Sequence, residues 1–256
     1  MKLVSACLLF GLSLSVMAAE STIPLLNMTP DLDDKASLQR GAKTYMNYCL
    51  GCHSLQYQRY ERTANDLGIP HDLILEHLIF DPDTRIGSLI ENSLSLSSAK
   101  TWFGAAPPDL TLYTSLKGTP DYIYTYLKSF YADPARPFGV NNLLFENVGM
   151  PHVLLDLQGL PRKVCKTKLE ADGSTQEPCE TDVIVDGRYM LEVDGSGSMS
   201  PDEYDRVAYD LTNFLYYVAE PTRQERERLG VYVLLFLAFF FVFTYLLGRE
   251  YTKEFH

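Results

Sequence analysis

The five residues Cys49-Leu50-Gly51-Cys52-His53 constrain this chain more than any other segment. Two thiols at this spacing reach both vinyl groups of one haem, and the adjacent histidine reaches the iron from the same face. Zinc binding and thiol redox chemistry are the other uses of paired cysteines. The full five-residue pattern, behind an amphipathic helix in an exported chain, favours haem. The motif occurs once, so one covalently bound haem c is expected.

Haem iron needs a sixth ligand if it is to cycle without binding substrate, and methionine raises its potential relative to a second histidine. Met150, Met190 and Met199 are the candidates well separated from the motif. Met190 falls in a predicted strand, where core packing is the better reading. Met199 adjoins a capping box. Met150 lies in Val148-Gly149-Met150-Pro151, where Gly and Pro fix the backbone and leave the thioether free to project. Met150 is preferred on these grounds, with Met199 second. His71, His77 and His152 would serve a bis-histidine site, although each reads more simply as a surface or hydrogen-bonded histidine.

Export follows from the N-terminus. Lys2, the apolar run Leu3 to Val16 and the small residues around Ala18-Ala19 form a signal peptide over 1–19. A second apolar run, Leu229 to Leu247, holds no charge and is long enough to cross a bilayer as a helix. Arginines flank it on both sides, so the positive-inside count does not orient it. The export signal does: the segment before the span goes out, and the tail 248–256 stays in. Cys7 leaves with the leader. Cys165 and Cys179 then remain as a pair outside the haem motif, and an oxidising compartment favours a disulfide between them. Its short loop gives about 3 kcal/mol in the entropic account.

The formal net charge is −11. An acidic surface argues against nucleic acid as a partner and suits steering of a basic protein, although solubility alone explains it equally well.

The spacing predicts a mainly α chain. A helix over about 37–48 delivers the motif, and another lies near 72–80. The serine-rich stretch 93–98 reads as loop, and 102–110, with Pro107-Pro108, as a rigid irregular segment. Thr119-Pro120 starts a helix. Residues 131–152 read as a long ordered loop. Residues 160–193 form a small β insertion with a hairpin turning at Asp186-Gly187. Ser200-Pro201-Asp202-Glu203 is a capping box opening a helix that ends before Pro221, and Arg223 to Arg228 link it to the span.

Taken together, these residues resemble the cytochrome c1 family. The likeness rests on Arg40-Gly41, the haem motif with Ser54-Leu55, Ala106-Pro107-Pro108-Asp109-Leu110 and Asp121-Tyr122-Ile123. It continues through Gly149-Met150-Pro151, Met199-Ser200, Ala219-Glu220-Pro221 and the single C-terminal span. The resemblance implies a cytochrome c-type haem domain over 20–222, with the β insertion at 160–193 and the span at 229–247. It implies His53 and Met150 as axial ligands and Pro107 and Pro108 against the haem. It also implies an electron relay with no catalysis of its own, in a dimeric complex at a bacterial inner membrane with the haem domain in the periplasm. The partners it implies are a cytochrome b, a Rieske iron–sulfur protein and a c-type cytochrome acceptor. The family often has an arginine shortly after the Pro-Pro-Asp-Leu segment, beside a haem propionate. Thr111 to Ser115 holds none, so that contact is not carried over. A haem enzyme such as a peroxidase, and a stand-alone membrane-tethered shuttle, are the alternatives.

Overall fold

The structure is a computed structural model that describes residues 23–163, 184–185, 188–189 and 191–253. The leader, Cys165, Cys179, Met190 and the Asp186-Gly187 turn lie outside the described residues. The first half of the chain holds α1 (Lys35–Tyr48), β1 (Leu55–Arg59), α2 (Tyr60–Leu67), α3 (His71–His77), β2 (Leu89–Ile90), α4 (Leu96–Phe103), α5 (Tyr113–Leu116) and α6 (Pro120–Lys128). The second half holds β3 (Phe130–Ala132), β4 (Val140–Asn142), α7 (Leu155–Gln158), β5 (Pro161–Lys163), β6 (Ile184–Val185), β7 (Arg188–Tyr189), β8 (Leu191–Val193), α8 (Pro201–Ala219) and α9 (Arg223–Lys253). Among the described residues, the strands pair as four antiparallel two-stranded ribbons: β1–β2, β3–β4, β5–β8 and β6–β7.

The main helices begin where their capping chemistry puts them. Asp34 accepts from the Ser37 amide at the start of α1, and Thr119 accepts from the Tyr122 amide at the start of α6. In α8, Ser200 and Glu203 cap one another reciprocally. The buried stripe of α1, Leu38, Ala42, Tyr45 and Met46, packs on Ala208, Leu211, Phe214 and Val218 of α8. The two helices touch backbone to backbone at Gly41, where a Cβ would lie 2.0 Å from the Asp210 carbonyl oxygen. Next to that contact, Arg40 makes a forked ion pair with Asp210 at 2.6 and 3.0 Å. The extended segment before α1 straps across α6 and α8. The Leu26 amide donates to Thr125, and Asn213 both accepts from the Asp31 amide and donates to the Asp31 carbonyl.

Four details differ from the sequence-based expectation. The serine-rich stretch is not all loop: Ser95 caps α4 by accepting from the Ser98 amide, so the local cap outweighs the composition. The long loop 131–152 contains the β3–β4 hairpin. Residues 191–193 do not extend the β6–β7 pair but leave it to join 161–163, closing the base of the insertion. Arg223 to Arg228 are not a linker; they are the first turns of α9.

No residue of α9 is buried, and its large apolar side chains are exposed from Leu229 to Leu247. The uncharged stretch is about 28 Å long at 1.5 Å per residue, close to the ~30 Å hydrocarbon core of a bilayer. An apolar helix with no protein against it is a membrane span by length and composition. The α8–α9 junction is braced. Glu220 pairs with both Arg223 and Arg226, the Arg223 guanidinium lies 4.7 Å from the Tyr216 ring centre, and Gln224 donates to Asp33 at 2.7 Å.

Candidate functional site

A cavity of about 330 Å³ lies where the end of α1, the segment 103–113, α6 and the loop 145–153 converge. That is within the size range of cofactor sites. Cys49, Cys52 and His53 reach it from the turn that ends α1, and Met150 reaches it from the loop after β4. Pro107 and Pro108 line it too, together with Leu110, Ile123, Leu127, Leu211 and Leu215.

The turn that carries the motif continues the hydrogen bonding of α1. The Cys49 amide donates to Tyr45, and the Cys52 and His53 amides both donate to the Cys49 carbonyl. The Tyr45 hydroxyl donates to the His53 carbonyl. Burial pushes the Cys49 thiol up to about 12 and raises Cys52 as well. A structural zinc site would need four protein ligands. No group of three or more metal-ligating side chains occurs among the described residues.

His53 is held by the main chain. Its Nδ1 lies 2.7 Å from the Pro108 carbonyl oxygen, which can only accept. Nδ1 therefore carries the proton, and Nε2 keeps its lone pair for a metal. Burial lowers the imidazole pKa, which favours the neutral ligand form. Two bonds fasten the Pro108 segment to the residues just after the motif, and a third turns within the segment. Leu110 N–H donates to the Ser54 carbonyl at 3.0 Å, and Asp109 accepts from the Gln56 amide at 2.8 Å and the Thr111 amide at 2.9 Å.

The Met150 arm passes through a tight gap. A Cβ on Gly149 would lie 2.7 Å from the Phe103 carbonyl oxygen, so a side chain there would push the arm away. The Tyr126 hydroxyl donates to the Met150 sulfur at 3.6 Å. Tyr126, the Pro108 carbonyl and Asp109 are contributions that spacing did not reveal; Tyr126 reads in sequence as one of several core tyrosines on α6.

The other candidate ligands lie elsewhere. His71 and His77 are exposed on α3. His152 stacks on Phe130 with ring centres 4.8 Å apart, shares a 2.8 Å hydrogen bond with Gln158, and is lowered by burial to about 4. Met199 lines a different cavity, with Lys128 and Tyr204.

These residues fit a haem. The walls are apolar, two protonated thiols and an oriented imidazole come from one segment, and a thioether comes from another. The sequence pattern of the Cytochrome C1 family matches residues 92–255. The chain belongs to the cytochrome c1 family. It is 49% identical over 255 residues to "Cytochrome c1" of Allochromatium vinosum, covering 100% of this chain and 99% of that one. It is 38% identical over 226 residues to "Ammonia monooxygenase gamma subunit" of Nitrosomonas europaea, covering 88% and 86%. It is 26% identical over 255 residues to "Cytochrome b/c1" of Bradyrhizobium diazoefficiens, covering 87% of this chain and 34% of that one. Cytochrome c1 proteins are electron carriers, and membership implies a haem c here.

Proposed function

We propose that this cytochrome c1 is a subunit of a quinol–cytochrome c reductase. In that role it relays single electrons from a Rieske iron–sulfur protein to a c-type cytochrome in respiration, beside a cytochrome b that oxidises the quinol. The observation that carries the reading is the convergence of Cys49, Cys52, His53 and Met150 on one apolar cavity. Haem c bound there supplies reversible one-electron iron chemistry. Cys49 and Cys52 would hold it covalently, and His53 and Met150 would hold the iron. Pro107 and Pro108 pack beside it and exclude water. With Met150 as a ligand, the iron would have no position open to substrate, which favours a carrier over a peroxidase.

The chain's placement follows from the same reading. Residues 1–19 are a signal peptide, 20–222 the periplasmic haem domain, 229–247 the part of α9 inside a bacterial inner membrane, and 248–256 a cytoplasmic tail. The β insertion at 160–193 is bridged by Cys165 and Cys179. The complex in this reading is dimeric, and the braced α8–α9 junction supports a fixed subunit over a freely swinging shuttle.

The relative from Nitrosomonas europaea gives a second reading, an electron-carrying subunit of an oxygenase assembly. Extraction in mild detergent, with the chain affinity-tagged, separates the two. The reductase reading expects co-purification of a cytochrome b and an iron–sulfur protein. Oxygenase subunits in their place would support the second reading, and a chain that isolates alone would sink both.

A further inference from the structure

We propose that Arg136 is a positioning residue for Met150, holding the arm on which the thioether projects; this rests on the reading of Met150 as an axial ligand. Arg136 sits in the turn between β3 and β4, where its own amide bonds the Asp133 carbonyl. Its guanidinium reaches across to the incoming arm. One terminal nitrogen donates to the Asn147 side-chain oxygen at 3.0 Å. The other donates to the Asn147 carbonyl at 2.8 Å and approaches the Val148 carbonyl at 3.4 Å. The fork thus grips the two residues that precede Gly149 and Met150.

Two features indicate that this grip sets a geometry. Asn147 has a φ of 62°, the one positive value outside glycine among the described residues. Asparagine tolerates this region better than most residues, and here Arg136 and Asn141, which accepts from the Asn147 amide at 2.9 Å, fasten it there. Among the described residues, the Arg136 Nε is buried without a hydrogen-bond partner. The hydrogen bonds of the guanidinium run through its two terminal nitrogens, all of them to Asn147 and Val148. The clamp acts at the point where the chain must squeeze past the Phe103 carbonyl, so its release lets the arm retreat from the cavity.

The test uses the full-length, haem-loaded chain and three variants, Arg136→Ala, Arg136→Lys and Met150→Leu. Three readouts are followed: imidazole binding to the ferric form, the sulfur-to-iron charge-transfer band and the reduction potential. Arg136→Ala should bind imidazole about tenfold more tightly than the parent, since apparent affinity scales with the open fraction and supporting groups typically matter at this level. Its charge-transfer band should weaken. Arg136→Lys keeps the charge but not the fork; it should fall between parent and alanine variant, which separates geometry from field. It also serves if the alanine variant fails to fold. Met150→Leu should lose the band altogether. If Met150→Leu changes the spectrum while both Arg136 variants keep parental imidazole affinity and band, the clamp is wrong and the ligand reading stands. If Met150→Leu changes nothing, the ligand reading fails and takes the clamp with it.

Discussion

The Nδ1 of His53 lies 2.7 Å from the carbonyl oxygen of Pro108. The orienting acceptor belongs to the main chain, so no side-chain change at 108 can delete it, and only the placing of the segment can be altered. Asp109 does that placing through the Gln56 amide, while the Thr111 amide orients its carboxylate. Asp109→Ala should therefore cost about 1–2 kcal/mol of stability, measured by denaturant unfolding with haem absorbance as the probe. An unchanged midpoint would show that the segment is held without it.

Met150→Leu keeps the volume and removes the sulfur. The haem potential should fall sharply, and the iron should accept carbon monoxide or imidazole. Redox titration and visible spectra check both. An unaltered potential would remove Met150 from the ligand set.

Tyr126→Phe removes the hydroxyl that donates to the Met150 sulfur at 3.6 Å. That bond draws electron density from the thioether and so disfavours the ferric iron. Its loss should lower the potential. A weak bond of about 0.5–1 kcal/mol corresponds to about 20–40 mV for one electron. A rise in potential on redox titration would contradict the assignment.

Gly41→Ala tests the crossing of α1 and α8. The new methyl would sit 2.0 Å from the Asp210 carbonyl oxygen and 2.7 Å from the Phe214 Cβ, so the helices must part. A loss of at least about 2 kcal/mol is expected. Thermal unfolding of the haem-loaded chain measures it.

Glu203 accepts from the Ser200 amide and hydroxyl, each at 2.8 Å, and these bonds hold its carboxyl below the usual range. Its folded pKa thus lies below the unfolded value of about 4.3. The contribution is present above the unfolded pKa and is lost as pH falls through the folded one. Glu203→Gln should flatten the acid limb of the stability curve. An identical limb would mean that the cap does not report in folding.

Much of this was legible in the sequence because the signals are local. The caps at Thr119 and Ser200 and the uncharged run 229–247 each announce an element within a few residues. The Cys49–His53 motif likewise says what it is for without reference to the rest of the chain. What stayed hidden depends on contacts across the chain. Tyr126 is one tyrosine among several on α6 until the fold puts it on Met150, 24 residues away. The Pro108 carbonyl has no side-chain signature at all. The start of α9 was misread because the charges of Arg223 to Arg228 resemble a solvated linker, whereas their ion pairs with Glu220 let the helix begin before the apolar run.

The junction between α8 and α9 also has a consequence for traffic. With Glu220 gripping two arginines and Gln224 tied to Asp33, the cavity-bearing fold meets α9 through a set of side-chain bonds instead of a bare hinge. In the proposed relay, a site joined to its span in this way would receive donor and acceptor instead of visiting them.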